Sequence, residues 1–273
     1  MFPKLGALSV ADIDTGLVLK VIEPIWSTKT ETASRLRRRI ETILDWATVR
    51  GYRSGDNPAR WAGHLREVLP PPDKTRQVKH HAALPFAELP AFMSELAKRE
   101  GVAARALEFT ILTAARTGET IGATWNEIDF KNKTWTVPAD RMKGRKEHVV
   151  PLSVPAIEIL RGLPREADFV FIGGQRNNGL SNMAMAAVLK RMGRSDVTVH
   201  GMRSVFSDWA HERTAHVGNV IEMALAHSIP SATEAAYRRG TLFAKRTRLM
   251  NDWARYCYGK AASGEVVSIR AVR

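Results

Sequence analysis

The sequence predicts a mainly α-helical fold, with a small helical domain followed by a mostly helical domain that holds a small antiparallel sheet. Apolar residues recur at helical spacing through about the first 70 residues and again through most of the chain after residue 86. The segment Pro70-Pro71-Pro72-Asp73 interrupts these patterns and marks a domain boundary. β-Branched residues with strand-like alternation lie between about residues 134 and 152, and this pattern predicts a small sheet.

The first part should begin with two helices. Apolar residues at helical spacing predict a helix over residues 11 to 23, which Pro24 should end. Thr28 and Glu31 have the spacing of a capping box and should start a second, clearly amphipathic helix. Gly51 is a natural end for it, because glycine readily adopts the left-handed conformation that closes many helices.

A third helix should start at Asn57-Pro58 and run to about Leu69, since asparagine caps helices and proline fits their first turn. The polar, basic stretch after the prolines has the composition of a linker. The predicted divisions are a helical domain over residues 1–72, a linker over 73–85, a larger domain over 86–258 and a C-terminal tail over 259–273.

The larger part should consist of helices around one hairpin. Residues 134–137 and 147–152 suit paired strands, and the connection between them includes Lys143 and Lys146. Helices are predicted at about residues 86–99, 102–115, 154–162, 181–193, 201–213, 217–226, 231–240 and 243–257.

The chain is strongly basic, because 41 Lys and Arg residues against 28 Asp and Glu residues give a formal net charge of +13. Such a surface attracts a polyanion, and nucleic acid is the leading partner. An anionic membrane is the competing partner, but no apolar run approaches the roughly 18 residues of a spanning helix, so no membrane partner is predicted. The expected DNA-backbone contacts, whose alternative is a merely solvated helix face, are Arg35, Arg37, Arg38, Arg39, Arg50, Lys79 and Lys146.

A single cysteine, Cys257, excludes an intrachain disulfide and fits a reducing, cytoplasmic compartment. Eight histidines, including His80 and His81, make zinc an alternative, but their spacing matches no familiar set of ligands. The sequence has neither a Gly-x-x-x-x-Gly-Lys-Ser/Thr loop for ATP nor acidic residues spaced for two metal ions. We therefore expect no cofactor and no metal.

Several side chains suit chemistry on a phosphodiester bond, which needs a nucleophile, an acid for the leaving group and fixed positive charge around the phosphorus. Each has an ordinary alternative: a surface arginine, a histidine packed in the core or a tyrosine at the surface. Their combination in one order along the chain favours a shared site. In that order they are Arg116, Lys143, His200, Arg203, His227 and Tyr237.

This ordered set resembles the catalytic signature of the tyrosine recombinases, the phage integrase family. Residues 111–119, 150–153 and 199–203 are similar to segments of prophage and genomic-island integrases, and the catalytic resemblance runs from about His80 to Cys257. The stretch from Thr30 to Trp61 resembles the core-binding domain of the same subgroup.

The resemblance implies cleavage and rejoining of DNA without metal or ATP. Tyr237 would attack the scissile phosphate, form a 3′-phosphotyrosyl link and release a 5′-hydroxyl that later attacks back. Arg116 and Arg203 would hold the two non-bridging oxygens, a task that suits the planar guanidinium group.

The remaining catalytic roles are implied in the same way. Lys143 would protonate the leaving 5′-oxygen, with Lys146 as its rival. His200 would act as base or hydrogen-bond partner near the nucleophile, and His227 would bond the phosphate. Glu119 would orient an arginine or histidine from behind, or else serve only as a charge at the start of a helix.

The implied function is site-specific recombination that integrates or excises a mobile element. The two domains would grip double-stranded DNA from opposite sides at a core or attachment site, and four protomers would assemble on paired sites. Without DNA the protein should be a monomer. An accessory DNA-bending protein is a further candidate partner, and the apolar residues of the tail suggest that it packs on a neighbouring protomer.

Two features depart from the family's pattern. Integrases of this subgroup usually carry an additional N-terminal arm-binding domain, so we expect this chain to be either a fragment or a shortened protein. Thr241 stands where relatives often have an acidic residue. Two other functions stay open: a DNA-binding remnant that does not cut, and a topoisomerase that uses the same tyrosine chemistry on any duplex.

Overall fold

The computed structural model describes residues 2–72, 83–174, 178–227 and 240–259. The chain divides into two compact units, residues 1–80 and residues 81–273, each with its own hydrophobic core. Across the described ranges, no helix combines the length and the apolar composition that a membrane span requires. The prediction of a mainly α-helical fold with one small antiparallel sheet is confirmed.

Three helices are described in the first unit: α1 (Phe2–Leu5), α2 (Thr15–Trp26) and α3 (Thr30–Val49). α2 starts where the Asp14 carboxylate accepts a hydrogen bond from the Leu17 backbone N–H at 2.7 Å, which is ordinary N-capping. α2 and α3 pack against each other through buried side chains that include Val18, Ile22, Trp26, Ile40 and Leu44.

Pro24 lies inside α2, so the prediction that it ends this helix is wrong. A proline contributes no N–H to the helix, and the carbonyl four residues earlier loses its usual donor. That carbonyl belongs to Lys20, and it accepts a hydrogen bond from the Lys4 ammonium group at 2.7 Å. A side chain from outside the helix therefore supplies the missing donor, and α2 continues to Trp26.

The second predicted helix, α3, does not start with the predicted capping box. Lys29 occupies the N-cap position, and the Thr30 hydroxyl donates to the Trp26 carbonyl at 2.7 Å. The connection between α2 and α3 is so short that the first residue of α3 satisfies the end of α2. The predicted end is confirmed, because α3 stops at Val49 and Gly51 follows with a φ of +76°.

The helix predicted from Asn57 to Leu69 is not formed, although this stretch is fully described. It consists of turns and a short 3₁₀ segment, Leu65–Glu67. Gly63 has a φ of +67°, outside the helical region. The Trp61 backbone N–H donates to the Glu41 carboxylate at 3.3 Å instead of to a helical carbonyl. Long-range contacts therefore override the local helix signal.

The second unit contains the helices that position the candidate site. The helix predicted at residues 231–240 lies outside the described residues, as do Lys79, Tyr237 and the tail after Gly259. The prediction missed the short helix that follows Arg116. The described helices are α4 (Leu89–Ala97), α5 (Val102–Thr113), α6 (Thr117–Ile121), α7 (Val154–Arg161), α8 (Ala184–Arg191), α9 (Gly201–Arg213), α10 (Gly218–Ala224) and α11 (Phe243–Tyr258).

The sheet of the second unit is antiparallel with the strand order β1-β2-β3. Its strands are β1 (Ile128–Asp129), β2 (Thr134–Val137) and β3 (His148–Pro151). In β2 and β3, Trp135 pairs with Val150 and Val137 pairs with His148, so the predicted hairpin is confirmed. β1 was not predicted, because two residues are too few to show alternation.

α5 runs through the centre of the second unit and is buried on all sides over most of its length. The ring of Phe109 lies 5.3 Å from that of Trp135 and 5.4 Å from that of Phe171, measured between centroids. Trp253 of α11 donates its indole N–H to the Ile111 carbonyl at 2.8 Å. These contacts fix the C-terminal end of α5, where the candidate site begins.

The C-terminal end of α11 is also held in this core. The Tyr258 hydroxyl donates to the Glu108 carboxylate of α5, and Arg105 forms an ion pair with the same carboxylate at 2.6 Å. Burial raises the pKa of Tyr258 well above its usual range, so the phenol keeps its proton. The neighbouring Cys257 is fully buried, and burial raises the pKa of its thiol as well.

Candidate active site

The site begins at the end of α5, where the chain turns sharply into α6. Ala114 follows α5 in the left-handed conformation, with a φ of +49°, and Arg116 then occupies the N-cap position of α6. Glu119 accepts a hydrogen bond from the Arg116 backbone N–H at 2.8 Å and forms an ion pair with its guanidinium at 2.6 Å. One buried carboxylate thus holds both the main chain and the side chain of Arg116.

The second predicted arginine, Arg203, is buried in α9. Its Nη1 donates to the Ala114 carbonyl, and its Nη2 donates to the Leu225 carbonyl at 2.7 Å. These carbonyls stand at the ends of α5 and α10, where helical carbonyls have no partner within their own helix. The negative ends of two helix dipoles therefore stabilise one buried guanidinium.

The Leu225 carbonyl brings the two arginines together. Nη2 of Arg116 lies 3.5 Å from the Leu225 oxygen and 3.3 Å from the Ala226 oxygen. Ala226 adopts the left-handed conformation, with a φ of +50°, and closes α10. Two guanidinium groups consequently meet at one carbonyl oxygen.

His227 follows directly and joins the same group of side chains. Its Nε2 lies 3.4 Å from Nη2 of Arg203, and its Nδ1 lies 2.7 Å from the Glu222 carboxylate. The carboxylate favours a proton on Nδ1. The two contacts orient the ring, and 44% of the side chain stays exposed to bind a further group.

The electrostatics of the cluster favour an anion. Burial, and then the nearby charge of Arg116, lower the pKa of Arg203 to about 10, whereas Glu119 and Glu222 act in the opposite direction. This pKa remains far above neutral pH, so Arg203 keeps its charge. Positive charge is held at a fixed place in a partly dry environment, where its interaction with an anion is stronger than in water.

The other predicted catalytic residues lie around this cluster or outside the described ranges. His200 is the exposed N-cap residue of α9, one helical turn before Arg203. Lys143 and Lys146 are exposed on the connection between β2 and β3. Tyr237 is outside the described residues. The predicted side chains that the described contacts bring together are Arg116, Glu119, Arg203 and His227.

His148 belongs to this site, and sequence reasoning missed it. It is partly buried at the start of β3, and the charges of Glu119 and Arg116 act on its ring. Burial, followed by the charge of Arg246, lowers the pKa of His148 to about 4, so the ring is neutral at physiological pH. The only signal in the sequence was a histidine at the start of a strand of β-branched residues, five positions after Lys143.

The predicted DNA contacts on α3 separate into exposed and buried side chains. Arg37 is buried, with its guanidinium 2.7 Å from both the Glu41 carboxylate and the Ala59 carbonyl. It holds the fold of the first unit together and does not lie on the exposed face of α3. The exposed side chains on the opposite face are Arg35, Arg38, Arg39, Trp46 and Arg50.

Trp46 was not singled out by sequence reasoning. More than half of its surface is exposed, and the Arg50 guanidinium lies 5.7 Å from its ring centroid. Its spacing from Arg35 and Arg39 on one helical face was the available signal. As for metals, no three His, Cys, Asp or Glu side chains in the described part of the chain are grouped to hold an ion.

The chain is similar to known proteins over most of its length. Residues 1–64 match the phage integrase central domain, and residues 83–241 match the phage integrase family. The prophage integrase IntZ of Escherichia coli strain K12 is 34% identical over 259 residues, which cover 93% of this chain and 62% of IntZ. The chain therefore spans about three fifths of the length of this relative.

Solved structures show the same fold at low sequence identity. A lambda integrase dimer bound to a COC′ core site matches with a TM-score of 0.60 and 16% identity, over 88% of this chain and 84% of that chain. A lambda integrase tetramer bound to a Holliday junction matches with a TM-score of 0.59 and 15% identity, over 81% of this chain and 66% of that chain. Because residues 83–241 make up more than half of the sequence, the chain belongs to the phage integrase family of tyrosine recombinases.

Proposed function

We propose that this chain catalyses site-specific DNA recombination, in which a tyrosine cleaves and rejoins DNA to integrate or excise a mobile element. The observation that carries the proposal is the meeting of Arg116 and Arg203 at the Leu225 carbonyl, with His227 beside them. Fixed guanidinium groups suit the charge that develops on a phosphate during transesterification. Membership of the phage integrase family supports the same reaction.

In this proposal each arginine binds one non-bridging oxygen of the scissile phosphate. A guanidinium group has five N–H donors, and the described contacts of Arg116 and Arg203 do not use all of them. The carbonyls that hold the two groups limit their motion before DNA binds. Little reorganisation is then needed when the phosphate enters, and preorganised charge of this kind is what lowers the barrier.

The covalent step uses Tyr237 as the nucleophile. Its oxygen bonds to phosphorus while the bond from phosphorus to the 5′-oxygen breaks, which leaves a 3′-phosphotyrosyl link. Lys143 gives the proton that the 5′-oxygen needs as it leaves, and Lys146 on the same connection is the alternative donor. A 5′-hydroxyl later attacks the phosphotyrosyl bond and restores the backbone, so no ATP is consumed. The charged side chains take the place of metal ions.

The two predicted histidines and Glu119 complete the mechanism. His200 accepts the tyrosine proton or a hydrogen bond near the nucleophile, and His227 donates to the phosphate. Glu119 acts through Arg116 and does not contact the phosphate, because two negative groups would repel each other. Its position 2.6 Å from the guanidinium supports this role.

We propose that residues 1–72 bind the core site of the DNA through the exposed face of α3. Arginines on one helical face follow a phosphate backbone, and an aromatic ring among them adds apolar contact with sugars or bases. Trp46 and Arg50 are adjacent on this face, which supports a combined contact. Lys79 and Lys146 stay predicted contacts. The residues 73–85 form the linker to the catalytic residues 86–258.

We further propose that four copies assemble on paired DNA sites and that the protein without DNA is a monomer. Strand exchange between two duplexes needs four nucleophiles. The lambda integrase structures include a dimer on a core site and a tetramer on a Holliday junction, which supports an assembly of this kind. An accessory DNA-bending protein stays a prediction.

A nicked suicide substrate tests the proposal. When cleavage occurs next to the nick, a short fragment diffuses away and the covalent protein–DNA adduct accumulates. We expect adduct on specific core sequences within an arrayed pool of duplexes, in the presence of a metal chelator. Tyr237→Phe should abolish it, whereas Tyr52→Phe, which changes an exposed tyrosine in the first unit, should leave it unchanged.

The outcomes separate the three candidate functions. Sequence-specific binding without adduct would support a DNA-binding remnant. Relaxation of supercoiled DNA with no preference for sequence would support a topoisomerase. Adduct that persists in Tyr237→Phe, or that requires a divalent metal ion, would overturn the mechanism.

A further inference from the structure

Arg141 joins the connection between β2 and β3 to the helix that follows Arg116. Its Nη1 donates to the main-chain carbonyl of Glu119 at 3.2 Å, and its Nη2 donates to the Glu127 carboxylate. Glu119 therefore binds two arginines, Arg116 through its side chain and Arg141 through its carbonyl. Lys143 follows Arg141 by two residues. Arg141 thus connects the segment that carries Lys143 with the segment that carries Arg116.

The Glu127 carboxylate is a fixed partner for Arg141. It directly precedes β1, and it also accepts a hydrogen bond from the indole N–H of the buried Trp135 in β2 at 2.9 Å. The side chains of Arg141 and Glu127 are only 22% and 11% exposed. Salt screens a partly buried ion pair much less than an exposed one, so this contact should persist at the ionic strength of a cleavage reaction.

Gly122, which closes α6, leaves the space that the Arg141 guanidinium occupies. A Cβ at this position would lie 2.6 Å from Nη1 of Arg141 and 3.1 Å from the Gly118 carbonyl oxygen. The φ of Gly122 is −92°, which any residue can adopt, so glycine serves here to make room for a neighbour. An alanine at this position would push the guanidinium away from the end of α6.

The backbone between Arg141 and Lys143 is held by turns. The Arg141 N–H donates to the Pro138 carbonyl at 3.1 Å, and the Arg145 N–H donates to the Met142 carbonyl at 2.9 Å. The Met142 side chain is buried in the hydrophobic core. Lys143 is therefore the first central residue of a turn whose preceding residue is anchored. A displacement of Arg141 should move Lys143 as well.

We propose that Arg141 is a positioning residue that places the Lys143 ammonium group relative to Arg116. The inference rests on the proposed function, in which Lys143 protonates the leaving 5′-oxygen. A general acid must come within hydrogen-bond reach of that oxygen, and an exposed lysine has many conformations. A fixed backbone makes its approach to the phosphate reproducible. Arg141 itself touches no reacting atom.

The test compares two leaving groups. In a substrate with sulfur in place of the bridging 5′-oxygen, Tyr237 bonds to phosphorus, the bond from phosphorus to sulfur breaks, and the thiolate leaves without a proton. A defect in the position of Lys143 should then disappear, while a defect in phosphate binding should persist. We expect Arg141→Met to slow adduct formation about tenfold on the oxygen substrate and to match the wild type on the sulfur substrate.

Two milder variants decide the question if Arg141→Met does not fold. Gly122→Ala leaves Arg141 in place in the sequence but moves its guanidinium from the Glu119 carbonyl. Arg141→Lys keeps a positive charge for Glu127, and its single ammonium group cannot reproduce the two-sided contact of the guanidinium. Both should slow adduct formation about threefold to tenfold on the oxygen substrate alone.

Matched controls make the result specific. Lys143→Ala should show the same pattern with a larger loss, about 100-fold on the oxygen substrate. Arg116→Lys should be slow on both substrates. Arg161→Met, which changes an exposed arginine of α7, should behave like the wild type on both. Thermal unfolding of each variant reports whether it is folded.

Three results would overturn the inference: a loss that sulfur does not relieve, no loss in any folded variant, or a wild-type rate for Lys143→Ala on the oxygen substrate. In the last case Lys143 would not be the acid that Arg141 is proposed to place. Absence of adduct with the wild-type chain on either substrate would instead overturn the proposed function itself.

Discussion

Glu119 holds Arg116 at two points, with hydrogen bonds of 2.8 Å to its backbone N–H and 2.6 Å to its guanidinium. The backbone contact starts α6, and the side-chain contact keeps the guanidinium beside the Leu225 carbonyl. The start of α6 and the orientation of the Arg116 guanidinium therefore depend on the same carboxylate. A change at this carboxylate moves a positive charge without removing it.

Glu119→Gln should impair DNA cleavage more than stability. Glutamine has one acceptor oxygen and no negative charge, so it cannot make both contacts that the carboxylate makes. We expect adduct formation to slow about tenfold and the free energy of unfolding to fall by about 1–2 kcal/mol. Single-turnover cleavage and urea unfolding measure the two effects. Glu158→Gln, at an exposed position of α7, is the control, and an unchanged cleavage rate in Glu119→Gln would contradict the role of the pair.

Arg116→Lys and Arg203→Lys should each slow adduct formation about 100-fold, although both keep the positive charge. An ammonium group cannot bridge a carbonyl and a phosphate oxygen with the geometry of a guanidinium. The comparison is Arg161→Lys, an exposed position at the end of α7, which should cleave at the wild-type rate. Rates within about threefold of the wild type for the Arg116 and Arg203 variants would show that charge alone suffices.

The stability of the second unit should fall in mild acid because of His148. Burial, and then Arg246, lower the pKa of its folded form to about 4 from an ordinary value of 6.5. Between these two values the unfolded chain binds a proton that the folded chain does not. The stabilisation is therefore complete above pH 6.5 and is lost as the pH falls through 4.

Urea unfolding at a series of pH values measures this effect. Between pH 7 and pH 4 we expect the wild type to lose about 3 kcal/mol more of its free energy of unfolding than His148→Gln, which has no titrating ring. The comparison removes the contribution of other groups that titrate in the same range. If the free energy of unfolding fell equally with pH in the wild type and in His148→Gln, the His148 ring would be solvated in the folded protein.

Substitution of an exposed arginine of α3 should change DNA affinity, whereas substitution of a buried one should change stability. Arg38→Ala changes an exposed side chain, so it should weaken DNA binding several-fold and lower the salt dependence by about one unit of slope. Arg37→Ala changes a buried side chain, so it should lower the free energy of unfolding by about 2–3 kcal/mol. Fluorescence anisotropy at several salt concentrations and urea unfolding measure the two quantities. If Arg38→Ala instead lowers the free energy of unfolding and Arg37→Ala instead weakens DNA binding, α3 does not face DNA.

Trp46→Ala extends the same test to the aromatic ring. Loss of the exposed ring should weaken DNA binding about tenfold, with little change in the salt dependence, because the ring carries no charge. Trp125→Ala is unsuitable as a control because its ring contacts Phe130 and Arg165 in the second unit. Val68→Ala, at an exposed position of the first unit, is suitable. Unchanged affinity in Trp46→Ala would restrict the contact to the arginines.

Local sequence patterns predicted most helices of the second unit because most of them have an apolar stripe that packs on α5. They failed where a distant group completes a hydrogen bond. The Lys4 ammonium replaces the donor that Pro24 lacks, and the Glu41 carboxylate binds the Trp61 N–H that a helix would have used. Neither partner lies close in sequence, so the propensity of the segment alone gave the wrong boundary.

The candidate site shows the same limit. Arg116, Arg203 and His227 could be singled out by residue type and order. The Leu225 carbonyl that joins the two arginines could not be, because every residue has a carbonyl and only the fold exposes it at a helix end. His148 was missed because a neutral, partly buried histidine in a strand resembles an ordinary structural residue.

The burial of Cys257 has a practical consequence for experiments. It is the one cysteine in the sequence, it is fully enclosed in the core, and its thiol keeps its proton, so alkylating reagents should not reach it under native conditions. A cysteine introduced at an exposed position would then be the sole thiol available for labelling. Val49 in the first unit and Met183 in the second are 87% and 69% exposed. Fluorophores at these two positions would report the distance between the units as the protein engages and leaves its target.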